Sequence, residues 1–426
     1  MAKTRTILFV MPRLPFPATS GRKTSLYHYC RILSEELGYR LIVAAFLESE
    51  DDPDKKPPFI DKLVVLQKPS SLDKVGGILK DSLILRKKPM QVSLFWTKKA
   101  KEQVDNLIKT ERPDLIIADM IRTTEYIKDA HAVRIADLDD RISLRYARQL
   151  DTDIDGINPY GAYLGTMPKP VQKILLCNPI KLAVVRNEIK LLHSYELEIG
   201  RKCDATVFVA KREVDTFNSE LKDDKAFAIP IGVDTDYFGS AALEDNAEEY
   251  IGFLGAMNVA HNENAAAHFA KDILPLIVQK HPRAKFLVIG GGAQEGLLKL
   301  KSDHVFFMGR VDDVRDYLKK CKVFVCPMTF GSGIKTKNLE AMAMGLPVVT
   351  TSIGAENIDA ESGKDWFVAD SNKEFANKVL ELLDSKELRD SVGNAGKRFV
   401  ENCFTWKITQ KQLEKLITTL SYKMGS

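Results

Sequence analysis

The sequence predicts an α/β protein made of two doubly wound, Rossmann-like domains. Three observations carry that prediction. Short apolar runs alternate with helical patterns along the chain, as in parallel sheets covered by helices. The alternation comes as two separate series, divided by a Pro- and Gly-broken stretch, AIPIGVDTDYF (228–238), and the polar run LEDNAEE (243–249). The 426 residues suit two domains of about 150–200 residues better than one.

The first series opens with TILFVM (6–11). Its ILFVM core is too short for a signal peptide and runs straight into MPRLPFP, so it reads as a buried strand. An amphipathic helix follows at LYHYCRILSEEL (26–37). Further strands are expected at 41–46, 63–66, 114–118, 133–137 and 205–210. Residues 151–185 break the alternation. They begin polar (DTDIDGINPYG), turn apolar and basic (PKPVQKILLCNPIKLAVV), and read as an insertion before a long helix over 186–202. The second series has strands at 250–256, 285–290, 305–309, 323–327, 347–351 and 366–369. TWKITQKQLEKLITTL (405–420) reads as a lone C-terminal helix whose start Trp406 anchors. No stretch approaches 18 apolar residues, so no membrane span is expected.

Composition narrows the function classes. Hydrophobic residues make up 45% and charged residues 28%, and 62 Lys/Arg against 58 Asp/Glu leave a net charge of +4. That balance excludes a uniformly basic nucleic-acid binder. It is an average over a basic first 150 residues and an acidic 151–246. Six cysteines occur with no C-x-x-C spacing, which is cytoplasmic usage, neither a disulfide nor a zinc framework.

The most informative segment is FGSGIKTKNLEAMAMGLPVVTT (330–351). A strand (VFVCP) leads into a Gly-Ser-Gly turn that opens onto a helix. Such a helix N-terminus presents backbone N–H groups and the positive dipole end to a phosphate, and glycines let the backbone approach closely. Lys335 and Lys337 add charge there. Glu340 lies about one turn inside, where a carboxylate can reach a pair of sugar hydroxyls. The plain alternative is a tight turn at Gly331 and Gly333 with a solvated Glu340.

This segment, with TTSIGAENI (350–358) after it, resembles the signature of glycosyltransferase family 4, retaining enzymes of the GT-B fold. The N-terminal strand, glycine loop and helix (7–35), IPIGVDTDYF (229–238), FLGAMNVAHNENAAAHFAKDILPLI (253–277) and FMGRVDDVRDYLKKCKVFVCP (307–327) resemble the family in the same order, in the subgroup that builds bacterial exopolysaccharides and capsules. The resemblance implies two domains facing across a cleft. Residues 1–235, with the 151–185 insertion and a returning helix at 405–426, would form the acceptor side. Residues 236–404 would bind the nucleotide-sugar donor. It implies that Glu340 bonds the ribose, that Arg310 and Val311 hold the base, and that Ser332, Gly333, Ile334, Lys335 and Lys337 meet the diphosphate and sugar. Gly255, Asn258, Gly290 and Gly291 would line the same site, and Gly21 and Arg22, with Lys23 beside them, would close it from the first domain.

Two departures stand out. The family often carries two glutamates, of which Glu340 is the second. The first, which usually contacts the donor sugar, would fall at position 332, where this chain has Ser332. The Arg and Lys common after the first donor-domain strand are also missing from GAMNVAHNENA (255–265); Lys335, Lys337 or His261 would supply that charge. Lys335 is the first choice, as the group nearest the glycine turn that stabilises the leaving diphosphate.

Other constellations are weaker. VIGGGAQEG (288–296) places Gly290 and Gly292 as a dinucleotide fingerprint would, but Glu295 stands where its third glycine belongs. DTDIDG (151–156) mimics a calcium loop whose twelfth position would be Ala162, not Glu, so no metal is expected. ADLDDRISLRYARQ (136–149) puts Asp137, Asp139 and Asp140 at a strand's carboxyl end, where ligands bind in such sheets. Asp139 is a candidate base or acceptor contact; the alternative is a helix cap. Glu196 is a further cleft candidate by resemblance. KDSLILRKKPMQVSLFWTKKAK (80–101) interleaves seven Lys/Arg with Leu94, Phe95 and Trp96, and 169–190 repeats the theme. Both suit an anionic membrane surface, the alternative being solvated helix faces.

The expected function is transfer of a sugar from a UDP- or GDP-sugar, with retention, to a glycan or polyprenyl-linked acceptor in surface polysaccharide synthesis. No cofactor is needed for this. The expected location is the cytoplasm, peripheral on the inner face of the membrane. The alternatives are a nucleotide-sugar 2-epimerase on the same fold and a non-catalytic partner subunit of a glycosyltransferase pair.

Overall fold

A computed structural model describes residues 5–18, 21–49, 51–152, 169, 177–244, 247–331 and 333–425. The chain divides into two compact units, Met1–Pro230 with Thr409–Ser426, and Ile231–Ile408. The division falls before residue 235 because Val233 belongs to the second unit's backbone. Its N–H donates to Phe404 O at 2.7 Å, and Val233 pairs with Thr405. Thr409 Oγ1 donates to Pro230 O at 2.8 Å, which ties the returning helix to the first unit.

The first unit holds a seven-stranded, wholly parallel sheet in the order β3-β2-β1-β4-β5-β6-β7. The strands are β1 (Thr6–Met11), β2 (Arg40–Ala45), β3 (Lys62–Val65), β4 (Leu115–Asp119), β5 (Val133–Asp139), β6 (Ala205–Phe208) and β7 (Ala226–Ala228). β1 and β4 are buried along their whole length, as strands covered on both faces must be. One face packs on Ala100, Val104 and Leu107 of the helix Lys98–Glu111. Leu192, Tyr195 and Ile199 of the helix Asn178–Lys202 join Ala136, Leu138 and Phe208 in a second core. That helix starts eight residues before the expected 186, with Pro179 in its first turn. The DTDIDG motif beyond Thr152, and the insertion apart from 169 and 177 onward, lie outside the described residues.

The second unit holds six parallel strands in the order β10-β9-β8-β11-β12-β13. They are β8 (Glu249–Leu254), β9 (Ala284–Ile289), β10 (Val305–Gly309), β11 (Cys321–Cys326), β12 (Val348–Thr350) and β13 (Phe367–Val368). Both sheets reverse their winding direction once, between β1 and β4 and between β8 and β11. In open sheets the crevice at the carboxyl ends beside such a reversal is where ligands bind.

Candidate functional site

In the second unit the reversal point is lined by the loops that follow β8, β9, β11 and β12. The helix Thr336–Ala343 begins there, and Lys335 at its N-cap makes no side-chain cap. Gly331 and Gly333 precede it with φ of +115° and +77°, the left-handed region that favours glycine. The buried Lys335 donates from Nζ to Gly333 O at 2.8 Å. Lys337 Nζ reaches Asn262 Oδ1 and lies 4.6 Å from the centre of the Phe253 ring. Burial holds the Lys337 ammonium below its usual pKa, and Lys335 beside it pushes the same way.

The other expected residues close around this helix start. Gly255 follows β8 and has no room for a side chain, since a Cβ would come within 2.9 Å of Asn262 and Lys337 Nζ. Gly290 has φ +131° and lies flat against Gly255 O, where a Cβ would overlap. Gly291 O accepts from Met257 N at 2.7 Å, and a Cβ on Gly291 would touch the Cβ of Arg310. Asn258 packs on Gly292. Arg310 is exposed, and Val311 and Ile334 are half-buried. Glu340 sits one turn into the helix; burial pushes its carboxyl up to about 7, against the pull of Lys337 and a hydrogen bond from Thr336. Ser332 lies outside the described residues.

Three residues here escaped the sequence reading or were read differently. A Cβ on Gly331 would lie 3.5 Å from the Cβ of His261, so that histidine does border the glycine turn. Its pKa is pushed down to about 4 by burial and by Lys337 and Lys335, which favours the neutral ring at pH 7. Asn262, which receives Lys337, was not singled out. Nor was Glu356, whose Oε2 accepts from Gly333 N at 3.1 Å.

In the first unit, Gly21 opens the helix Gly21–Arg31, and a Cβ there would meet nothing within 4 Å. Arg22 is engaged by three carboxylates at the carboxyl ends of β4 and β5. It donates to Asp119 Oδ1 (Nε, 3.0 Å), Asp137 Oδ2 (2.8 Å) and Asp139 Oδ1 (2.9 Å). Asp119 and Asp137 are buried, and Asp119 Oδ2 is buried without a partner. Burial raises both carboxyls, Asp137 to about 6, while Arg22 pulls them down. Asp139 has φ +67°, a strained conformation for a residue with a Cβ. Lys23 is paired with Asp51 at 2.6 Å and Glu48 at 3.2 Å.

The helix Ile142–Thr152 follows β5 directly. Asp139 serves Arg22, and Asp140 pairs with Arg145 at 3.0 Å. The carboxylate at that helix start is Glu196, which accepts from Ser143 N (2.9 Å) and Ser143 Oγ (2.6 Å) with the fully buried Arg141 beside it. Glu196 is therefore buried and engaged by Ser143 and Arg141.

A family model described as glycosyl transferases group 1 matches residues 248–385, inside the second unit. A GDP-mannose-dependent monoacylated alpha-(1-6)-phosphatidylinositol monomannoside mannosyltransferase of Corynebacterium glutamicum is 28% identical over 242 residues, 52% of this chain and 63% of that protein. The chain spans from 43% to 63% of the length of the first curated relatives it matches. Among solved structures, sucrose-phosphate synthase from Thermosynechococcus elongatus superposes with a TM-score of 0.68 at 14% identity, covering 98% of this chain and 100% of that one. HepE of Anabaena in complex with UDP-glucose superposes with a TM-score of 0.60 at 12% identity, covering 97% and 100%. At these identities the likeness is one of fold. The two parallel-sheet, Rossmann-like units are those of the GT-B class.

Proposed function

We propose that the protein is a glycosyltransferase that moves a sugar, with retention, from a nucleotide diphosphate to a hydroxyl of a glycan or lipid-linked glycan. The observation that carries this reading is the helix start at Thr336: an N-terminus with no side-chain cap at the sheet's reversal point, two lysines beside it and Glu340 one turn in. Backbone N–H groups and Lys335 would hold the diphosphate and stabilise it as it leaves. Glu340 would accept from the ribose hydroxyls, with Arg310 and Val311 at the base. On this reading Arg22 does not serve the diphosphate, because three carboxylates already share its guanidinium; it holds Asp139 on the acceptor side. The relative's GDP-mannose and the UDP-glucose of HepE are two donors to try first.

Thermal-shift measurement with UDP, GDP, UDP-glucose, GDP-mannose, ADP and CMP tests the donor site. Stabilisation by at least one nucleotide is expected, and none by any would refute it.

We also propose that the enzyme works at an anionic membrane face in bacterial surface polysaccharide synthesis. No helix among the described residues is long and apolar enough to cross a membrane. The basic, aromatic stretch needs redrawing: Leu94 is buried, and Phe95 and Trp96 pack against the core. Lys88 pairs with Glu125 at 2.7 Å. The supporting surface lies just before them. Val75, Leu79, Leu83, Ile84 and Leu85 are exposed, Ile84 by 75%, beside exposed Lys80, Arg86 and Lys87. Apolar side chains flanked by cations suit insertion between anionic headgroups.

A further inference from the structure

The turn after β12 brings a carboxylate to the cationic glycine turn, where like-charge repulsion forbids it to serve a phosphate. Glu356 Oε2 accepts from Gly333 N at 3.1 Å. Its turn is fixed to the helix and to β11 by buried bonds. Asn338, fully buried, donates from Nδ2 to Gly354 O at 2.9 Å. Thr351 Oγ1 donates to Met328 O at 2.7 Å and accepts from Gly354 N at 3.1 Å. Gly354 has no room for a side chain, because a Cβ would run into Thr350 and stand 2.8 Å from Cys326 O. The residue after the glutamate, Asn357, is held at φ +63°, the left-handed region that asparagine adopts more readily than most residues, which closes the turn.

A rigidly held carboxylate at the edge of a phosphate site is suited to a neutral, hydroxyl-rich neighbour of the phosphate. In a nucleotide sugar that neighbour is the sugar. We propose that Glu356 is a specificity residue for the transferred sugar, accepting hydrogen bonds from its hydroxyls in the role that the family resemblance expects at position 332. The carboxylate arrives from 23 residues beyond Gly333 in sequence, on a different loop from the one where such a glutamate was expected. This assignment rests on the nucleotide-sugar reading and deepens it.

The test compares a nucleotide with its sugar conjugate in the same protein. Affinities of UDP and UDP-glucose, and of GDP and GDP-mannose, are measured by calorimetry for the wild type, Glu356→Gln and Glu356→Ala. Thermal unfolding without ligand is recorded alongside. Glutamine still accepts from Gly333 N but loses the charge, and a charged acceptor is roughly twice as strong as a neutral one. Free nucleotide should bind both variants as it binds the wild type, or more tightly. The sugar conjugate should bind Glu356→Gln about tenfold more weakly and Glu356→Ala more weakly still. Equal affinity of the conjugate for wild type and both variants would overturn the assignment. So would a parallel loss of nucleotide and conjugate, which would make Glu356 a brace for the turn. A wild type that binds neither pair would instead overturn the nucleotide-sugar reading, and the assignment with it.

Discussion

Replacing Arg22 with methionine removes the guanidinium that Asp119, Asp137 and Asp139 share. Breaking a buried ion pair from one side costs about 3–5 kcal/mol, because the abandoned charges stay buried. A carboxylate can escape that cost by taking up a proton, which makes the loss depend on pH. In the wild type Asp137 already titrates near 6 and Asp119 above its usual range. A carboxyl raised in the folded state binds more protons there than in the unfolded chain. Its stability contribution is therefore greatest below pH about 4, falls as pH rises to 6, and is level above. Without Arg22 both carboxyls rise further, and the fall extends to higher pH. Urea unfolding of wild type and Arg22→Met, followed by circular dichroism at pH 8 and pH 5, reads the difference directly. A loss of about 3–5 kcal/mol is expected at pH 8, or roughly 6–20 °C in Tm for a unit of this size, shrinking to about 1–2 kcal/mol at pH 5. An equal loss at both pH values, or less than about 1 kcal/mol at pH 8, would show that the carboxylates are hydrated and that Arg22 does not hold them.

Glu340→Ala should weaken nucleotide binding by about tenfold or more in calorimetry. Because burial lifts the Glu340 carboxyl to about 7, wild-type affinity should rise severalfold between pH 6 and pH 8 as the acceptor ionises; a flat profile counts against its contact with the ribose. Gly290→Ala should destabilise the protein by at least about 2 kcal/mol in denaturant unfolding, since the alanine meets both a left-handed φ and the Gly255 carbonyl; a smaller change means that the loops part easily. Leu79→Ser with Ile84→Ser, and separately Arg86→Ser with Lys87→Ser, should each reduce co-sedimentation with phosphatidylglycerol vesicles while leaving Tm unchanged. Binding equal to wild type in both pairs would reject the membrane surface.

The strands were legible because a parallel strand covered on both faces reads as an unbroken apolar run, as in TILFVM and KFLVIG. β7 offers only Ala-Phe-Ala, too short to stand out. The helix at 71–84 was missed for a different reason. Gly76 and Gly77 interrupt it, and Val75, Leu79, Leu83 and Ile84 are exposed while Ile78 packs on Met90 and Leu94, so no regular core-facing period stands out. The glycine turn and Lys335, Lys337 and Glu340 were legible because one short segment carries them all. What was not legible is the company that strand order brings. Arg22 was expected, with Gly21, to close the donor site. Its three carboxylates lie 97 to 117 residues further on, and only the adjacency of β1, β4 and β5 delivers them. Glu356 carries no signal of its own in the sequence; β12 beside β11 sets its turn against Gly333. In both units the chemistry comes from loops after neighbouring strands that are distant in sequence. A linear motif therefore identifies one wall of such a site, and the groups on the opposite wall decide what the motif's charges are free to do.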